Sequence, residues 1–177
     1  MTAVLRPAVL ALGSNLPSPA GDPFATLCSA VDHLARELWV SALSPVYETD
    51  PVGGPAGQPA YLNAVVLVET QLSPHALLDL ARRVEAAHGR VRAERWGART
   101  LDIDLIDHAE SPVDDDVLTL PHPRAHERAF VLAPWADVDP GASVGGRGTV
   151  ADLLARADRA GLRCRDDLVL PRPGRLE

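Results

Sequence analysis

Hydrophobic positions along this chain fall into alternating strand-like runs and helix-spaced series. Val4 to Leu12 is a nearly unbroken apolar run ending at Gly13-Ser14-Asn15, which predicts a buried strand entering a turn. Leu27, Val31, Leu34 and Leu38 then recur at helical spacing, behind Asp22 as cap and Pro23 at the first helical position. Val40 to Thr49 reads as a second strand and Tyr61 to Thr70 as a third. A second helix runs from the Ser73 cap and Pro74 to His88, where Gly89 stops it. Thr100 to Asp107 alternates as a fourth strand. Residues 108–120 form an acidic loop with a short strand, His126 to Trp135 reads as helical, Gly141 to Gly148 as a turn, and Thr149 to Ala160 as a last amphipathic helix. The tail beyond is polar and proline-rich, and no pattern constrains its last stretch. The order strand, helix, strand, strand, helix, strand predicts an α+β sandwich of the split β-α-β type, with one sheet and helices on one face.

Composition narrows the class. The 177 residues suit one domain, 1–177, with a motif-bearing part at about 4–140 and a C-terminal helix and tail at 149–177. No apolar run approaches the ~20 residues of a membrane span, and the first residues lack a secretory pattern. A net charge of −7 argues against non-specific nucleic-acid binding. All 17 basic residues are arginine, which excludes lysine Schiff-base chemistry and lysine-dependent phosphate loops. Phosphate would have to be met by arginine forks, helix N-termini or metal. Cys28 and Cys164 stand in no metal-ligand spacing; a pair of buried thiols in a cytoplasmic protein is the expectation, with one disulfide as the alternative.

Leu101-Asp102-Ile103-Asp104-Leu105 carries the strongest chemical signal. Residues two apart on a strand share a face, so Asp102 and Asp104 lie together while Leu101, Ile103 and Leu105 face the core. Adjacent carboxylates repel unless a cation separates them, and oxygen-only ligands suit Mg²⁺ or Mn²⁺. Taken alone, a motif as short as Asp-x-Asp fits a solvated strand face better than a metal site. Arg90, Arg92, Arg95 and Arg99 fall within the ten residues just upstream, so cations and carboxylates form adjacent blocks. Such segregation suits a site for metal and polyphosphate better than an interleaved surface salt-bridge network. His122 and Arg128 form a second basic block. Tyr61, Asn63 and Phe130 could stack and read a flat heteroaromatic ligand, or Tyr61 and Phe130 could belong to the core. The loop Asp50 to Ala60 holds three prolines and three glycines and, with 89–99, could close over a ligand.

In chain order, Ala11-Leu-Gly-Ser-Asn-Leu16, Tyr47-Glu-Thr-Asp-Pro-Val52, Tyr61-Leu-Asn63, Glu85, Gly89-Arg-Val-Arg92, Arg95-Trp-Gly-Ala-Arg-Thr-Leu-Asp-Ile-Asp104 and the 121–130 block resemble the 6-hydroxymethyl-7,8-dihydropterin pyrophosphokinases of folate synthesis. The resemblance covers roughly residues 4 to 140. It implies a monomeric, ferredoxin-like β-α-β-β-α-β fold and transfer of pyrophosphate from ATP to the pterin hydroxymethyl group, releasing AMP. It further implies two Mg²⁺ ions on Asp102 and Asp104, and Arg90 and Arg92 as catalytic loop arginines. Arg99 and His122 would contact ATP phosphates, with Glu85 close to the nucleotide and Leu78, Leu105 and Leu118 lining the adenine site. Tyr61 and Phe130 would sandwich the pterin, Asn63 would bond its edge, and Thr49, Asp50 and Val52 would complete the pocket through their backbone. Arg128 would sit between the substrates, and Asp104 is the candidate general base. Ala98 stands where many members carry proline. Small-molecule substrates, with no nucleic acid or membrane partner, complete the expectation.

Two other classes fit parts of the pattern. A metal-dependent sugar transferase also uses Asp-x-Asp, but no long nucleotide-binding half precedes the motif here. A non-catalytic ligand-sensing module needs no carboxylate pair for metal.

Overall fold

The computed structural model describes residues 4–51, 55–91 and 97–174. Its main sheet has six strands. Five run in the order β5 (Asp102–His108), β1 (Arg6–Ser14), β4 (Tyr61–Thr70), β3 (Tyr47–Thr49) and β8 (Leu162–Cys164), and β2 (Trp39–Leu43) also pairs with β4. All pairings are antiparallel. A small hairpin joins β6 (Val113–Asp114) to β7 (Thr119–Leu120) within the acidic loop.

Two helices begin where their caps predict. In α1 (Pro23–Leu34) the Asp22 carboxylate accepts the Ala25 N–H at 2.8 Å, and in α2 (Pro74–Ala87) Ser73 Oγ accepts the Ala76 N–H at 3.3 Å. Gly89, at φ +74, ends the turn after α2 in the left-handed region open to glycine. Leu27, Val31 and Leu34 of α1 and Leu77, Leu80 and Val84 of α2 bury against Leu10, Leu12, Ala64, Val66 and Val68 of β1 and β4.

Helices cover both faces of the sheet, not one. Alternate residues of the same strands, Val9, Ala11, Val65 and Leu67, join Val131, Leu132 and Trp135 of α3 (Ala129–Val138) and Val150 and Leu153 of α4 (Val150–Arg156). Both faces of β1 are therefore apolar, which is why its sequence reads as a run and not as an alternation.

Other expectations shift locally. The strand foreseen over 40–49 divides into β2 and β3 around Ser44-Pro45. Ser44 Oγ accepts the Val65 N–H at 2.8 Å, and Pro45 has no N–H to give a ladder. The helix foreseen from His126 becomes a 3-10 turn at Ala125–Glu127 followed by α3. The last helix ends at Arg156 and not at Ala160. The tail is anchored: β8 pairs with β3, and Leu168 and Leu170 pack into the α1/α2 core. Both cysteines are free; Cys28 is half-buried, but Cys164 is exposed, contrary to the buried pair expected. Among the described residues no helix is long and apolar enough to cross a membrane.

Candidate active site

Strand register builds the floor of the site. Gly13 of β1 stands between Asp102 of β5 and Asn63 of β4, and Asn63 faces Tyr47 of β3. In parallel rows, Ala11 pairs with Asp104, and Tyr61, Thr49 and Leu162 follow one another across β4, β3 and β8. These residues share the α3/α4 face of the sheet, at the end past the start of α3. A cavity of about 690 Å³ opens there. Ten of the expected residues line it: Thr49, Asp50, Tyr61, Asn63, Arg99, Asp102, Asp104, His122, Arg128 and Phe130.

One end is ionic. Arg90 Nη1 donates to Asp102 Oδ1 at 2.7 Å and Arg99 Nη1 to Asp102 Oδ2 at 2.5 Å, so both oxygens of Asp102 hold guanidiniums. Arg128 Nη1 donates to Asp104 Oδ2 at 3.3 Å and lies over the Phe130 ring at 5.6 Å. Glu85 sits behind this layer, 9% exposed. Its Oε1 accepts the Ile103 N–H at 2.8 Å and also accepts from Arg90 Nη1. It thereby ties α2 to β5.

Burial and charge set the protonation states. Asp104 is pushed up to about 6 by burial and by the Asp102 carboxylate, against the pull of Arg128, Arg99 and Arg90. Burial also raises Glu85 above its ordinary range, outweighing the Ile103 amide and Arg90. At Arg90 the balance reverses: burial opposes its charge, yet Asp102 and Glu85 hold it protonated. His122 is lowered to about 4 by burial and by Arg128 and Arg124, so it is neutral at pH 7. Its Nδ1 accepts the Arg124 N–H at 3.1 Å, which leaves the proton on Nε2, 4.0 Å from Asp104 Oδ2.

The other end, toward β3 and β8, carries Thr49, Tyr61 and Asn63, with Asp50 and Asp158 beside them. Tyr61 donates its hydroxyl to Gly97 O at 2.9 Å, and Asn63 Nδ2 donates to Thr49 Oγ1 at 2.9 Å. The turn after β1 binds the flanking loops: Asn15 Oδ1 accepts the Arg99 N–H at 2.7 Å, Asn15 Nδ2 donates to Pro59 O at 3.1 Å, and Ser14 Oγ donates to Thr100 O at 2.6 Å.

Glu85 and Arg90 lie behind Asp102 and do not line the cavity. Leu105 and Leu118 are buried in the α1/α2 core, with Leu78 half-buried against it. Val52 and Arg92 lie outside the described residues, as does Arg95. Several further residues line the cavity without a role expected from the sequence. Gly13 reads as part of a turn but forms the floor, where a Cβ would stand 3.3 Å from Asn63 Oδ1. Its signal is the small pair Ala11 and Gly13 alternating with Leu10 and Leu12. Asp158, Ala160 and Leu162 also line the cavity, and nothing local in the tail marks them.

The donors fit an oxygen-seeking divalent cation only in part. Asp102 and Asp104 offer carboxylate oxygens on one face, where burial and the Asp102 charge work against an ionised Asp104. Among the described residues no group of three or more His, Cys, Asp or Glu converges on one point. A cation there would draw its remaining ligands from water and from a bound phosphate, as Mg²⁺ commonly does.

Fold and site together define a ferredoxin-like α+β protein with a carboxylate pair and arginines at one end of a cavity and aromatic and amide groups at the other. The family model described as 7,8-dihydro-6-hydroxymethylpterin-pyrophosphokinase matches residues 9–140, and the chain belongs to this enzyme family. A 2-amino-4-hydroxy-6-hydroxymethyldihydropteridine pyrophosphokinase of Methylorubrum extorquens is 45% identical over 157 residues, spanning 88% of this chain and 96% of that protein. The protein of the same name from Mycobacterium tuberculosis is 44% identical over 178 residues, spanning 93% and 89%. A solved Plasmodium falciparum HPPK-DHPS structure superposes with a TM-score of 0.70 at 14% identity, covering 88% of this chain and 46% of that one. That likeness concerns the fold, and this chain spans less than half of the Plasmodium protein.

Proposed function

We propose that this protein transfers pyrophosphate from ATP to the hydroxymethyl group of 6-hydroxymethyl-7,8-dihydropterin, giving AMP and the pterin diphosphate for folate synthesis. One observation carries the reading: Asp102 and Asp104, with Arg99 and His122, share a cavity with Tyr61 and Asn63 across β1, and Arg128 lies over the Phe130 ring in the same cavity. A triphosphate matches the ionic groups and a flat heterocycle the aromatic and amide ones.

In the reaction, the pterin hydroxyl oxygen bonds to the β-phosphorus of ATP. The bond from that phosphorus to the oxygen bridging the α-phosphate breaks, AMP leaves with the bridging oxygen, and the hydroxyl proton is released. Asp102 and Asp104 would hold Mg²⁺, which when bound neutralises charge on phosphate oxygens beside the carboxylates. Positioning and charge stabilisation do most of the work in such transfers. Arg99 and Arg128 supply guanidiniums to the polyphosphate, and the neutral His122 donates its Nε2–H. Arg90, held between Glu85 and Asp102, fixes the Asp102 carboxylate. Tyr61 and Phe130 flank the heterocycle, with Asn63 offering its amide to the ring edge. Arg92 is assigned to the transition state.

The test is product analysis. AMP forms only when the pterin alcohol, ATP and Mg²⁺ are all present. AMP at an equal rate without the pterin, or a nucleoside diphosphate in its place, refutes the reaction.

A further inference from the structure

The C-terminal strand stands against the pterin end of the cavity, outside the matched span 9–140. Leu162 is the cross-strand partner of Thr49, which in turn partners Tyr61, so the three lie in one row on the cavity face. Directly opposed residues on one face touch through their side chains. Leu162 is half-buried and lines the cavity with Thr49, Asp50 and Tyr61.

The residues on either side hold this wall in register. Gly161, at φ +73, lets the backbone pass so close to Asp50 that a Cβ there would stand 2.6 Å from Asp50 Oδ2. Arg163 Nη2 donates to Glu48 Oε1 at 2.6 Å and to Asp50 Oδ1 at 3.3 Å, and Arg165 Nη1 donates to Glu48 Oε2 at 2.5 Å. Exposed ion pairs such as these add little stability, but they fix which residues of β8 face which residues of β3. Past the strand, Leu168 and Leu170 anchor the tail in the opposite core.

We propose that Leu162 is a pterin-binding residue, an apolar side wall that the tail supplies to the heterocycle and that Gly161 and Arg163 hold in place. The assignment rests on the reaction proposed above. The ionic end draws nothing from β8, so the tail governs affinity for the pterin alcohol and leaves ATP binding alone.

The experiment uses the full chain and the variants Leu162→Ala, Leu162→Met and Gly161→Ala. Steady-state rates give kcat and KM for each substrate. Calorimetry gives the affinity for the pterin alcohol with Mg²⁺ and a non-transferable ATP analogue present. Leu162→Ala raises the pterin KM and Kd roughly tenfold, as lost apolar contact in a pocket does, and leaves kcat and the ATP KM unchanged. Leu162→Met restores pterin binding. Gly161→Ala, which displaces Asp50, shifts the same constants in the same direction and carries the test should Leu162→Ala not fold. A role in folding alone would lower the melting temperature and the apparent kcat and leave both KM values unchanged. Active wild type with unchanged pterin constants in the variants overturns this inference and leaves the reaction standing. Wild type that makes no AMP overturns the reaction itself.

Discussion

Glu85 offers the sharpest test of how the ionic end is held. Its Oε1 accepts the buried Ile103 N–H at 2.8 Å and also binds Arg90. Glu85→Ala leaves that backbone donor without its acceptor, which costs about 1–3 kcal/mol. It also removes one of the two carboxylates on the half-buried Arg90 and leaves a small void, so the total comes to roughly 3 kcal/mol. For a chain of this size that lowers the melting temperature by about 10 °C. Glu85→Gln is much milder, because its amide oxygen still accepts from Ile103. The pH dependence separates the two contributions. Burial raises the Glu85 carboxyl above its ordinary 4.5 in the fold, so protonated Glu85 is favoured there. The stability this gives is full below the unfolded value and lost as pH rises through the folded one. The gap between wild type and Glu85→Gln therefore narrows from pH 4 to pH 8. Urea unfolding at several pH values with chelator present measures both effects. Glu85→Ala within about 0.5 kcal/mol of wild type, the usual scatter of surface changes, would refute the reasoning. So would Glu85→Gln as damaging as Glu85→Ala.

Asp102→Ala and Asp104→Ala each lose Mg²⁺-dependent turnover by orders of magnitude while circular dichroism shows an intact fold; near-normal rates in either refute its role. Asp104→Asn also raises the melting temperature of chelator-treated protein at pH 7.5. The proton that keeps Asp104 neutral in the fold is lost as pH rises through about 6, and Asn removes that penalty. In the metal-free protein the His122 imidazole titrates near 4 with its proton on Nε2, which nitrogen-15 chemical shifts report; a midpoint near 6.5 contradicts the burial and arginine environment assigned to it. Gly13→Ala sets a methyl 3.3 Å from Asn63 Oδ1 without backbone strain, and raises the pterin KM on the order of tenfold while the ATP KM stays put; equal changes in both constants would count against the floor assignment.

What the sequence makes legible is chemistry confined to one element. The Asp22 and Ser73 caps, the stop at Gly89 and the shared face of Asp102 and Asp104 each follow from residues within a turn or two. Thr49 and Leu162 meet only because β3 and β8 pair across more than a hundred residues, and three residues of strand carry no periodicity to announce it. The break at Ser44-Pro45 likewise depends on a tertiary partner, since Ser44 turns its hydroxyl to the Val65 amide. The second helical layer was signalled in β1, whose run of Val9, Leu10, Ala11 and Leu12 has no polar face to leave in water. Glu85 shows the limit in the site: its spacing marks a helix face, but its bond to Ile103 requires knowing which strand that helix covers.

The division of labour across the sheet follows from these constraints. Groups that must hold fixed distances, Asp102, Asp104, Asn63 and Tyr61, sit on β4 and β5, which flank β1, and ladder bonds set their spacing. Arg99, His122 and Arg128 sit instead on the segments that lead into β5, follow β7 and precede α3. Gly13 reconciles the two sets, because a residue without a side chain between Asp102 and Asn63 opens room at the point where both ends of the cavity meet. A Cβ there would stand 3.3 Å from Asn63 Oδ1, so the bare backbone of Gly13 is what keeps the floor open between Asp102 and Asn63.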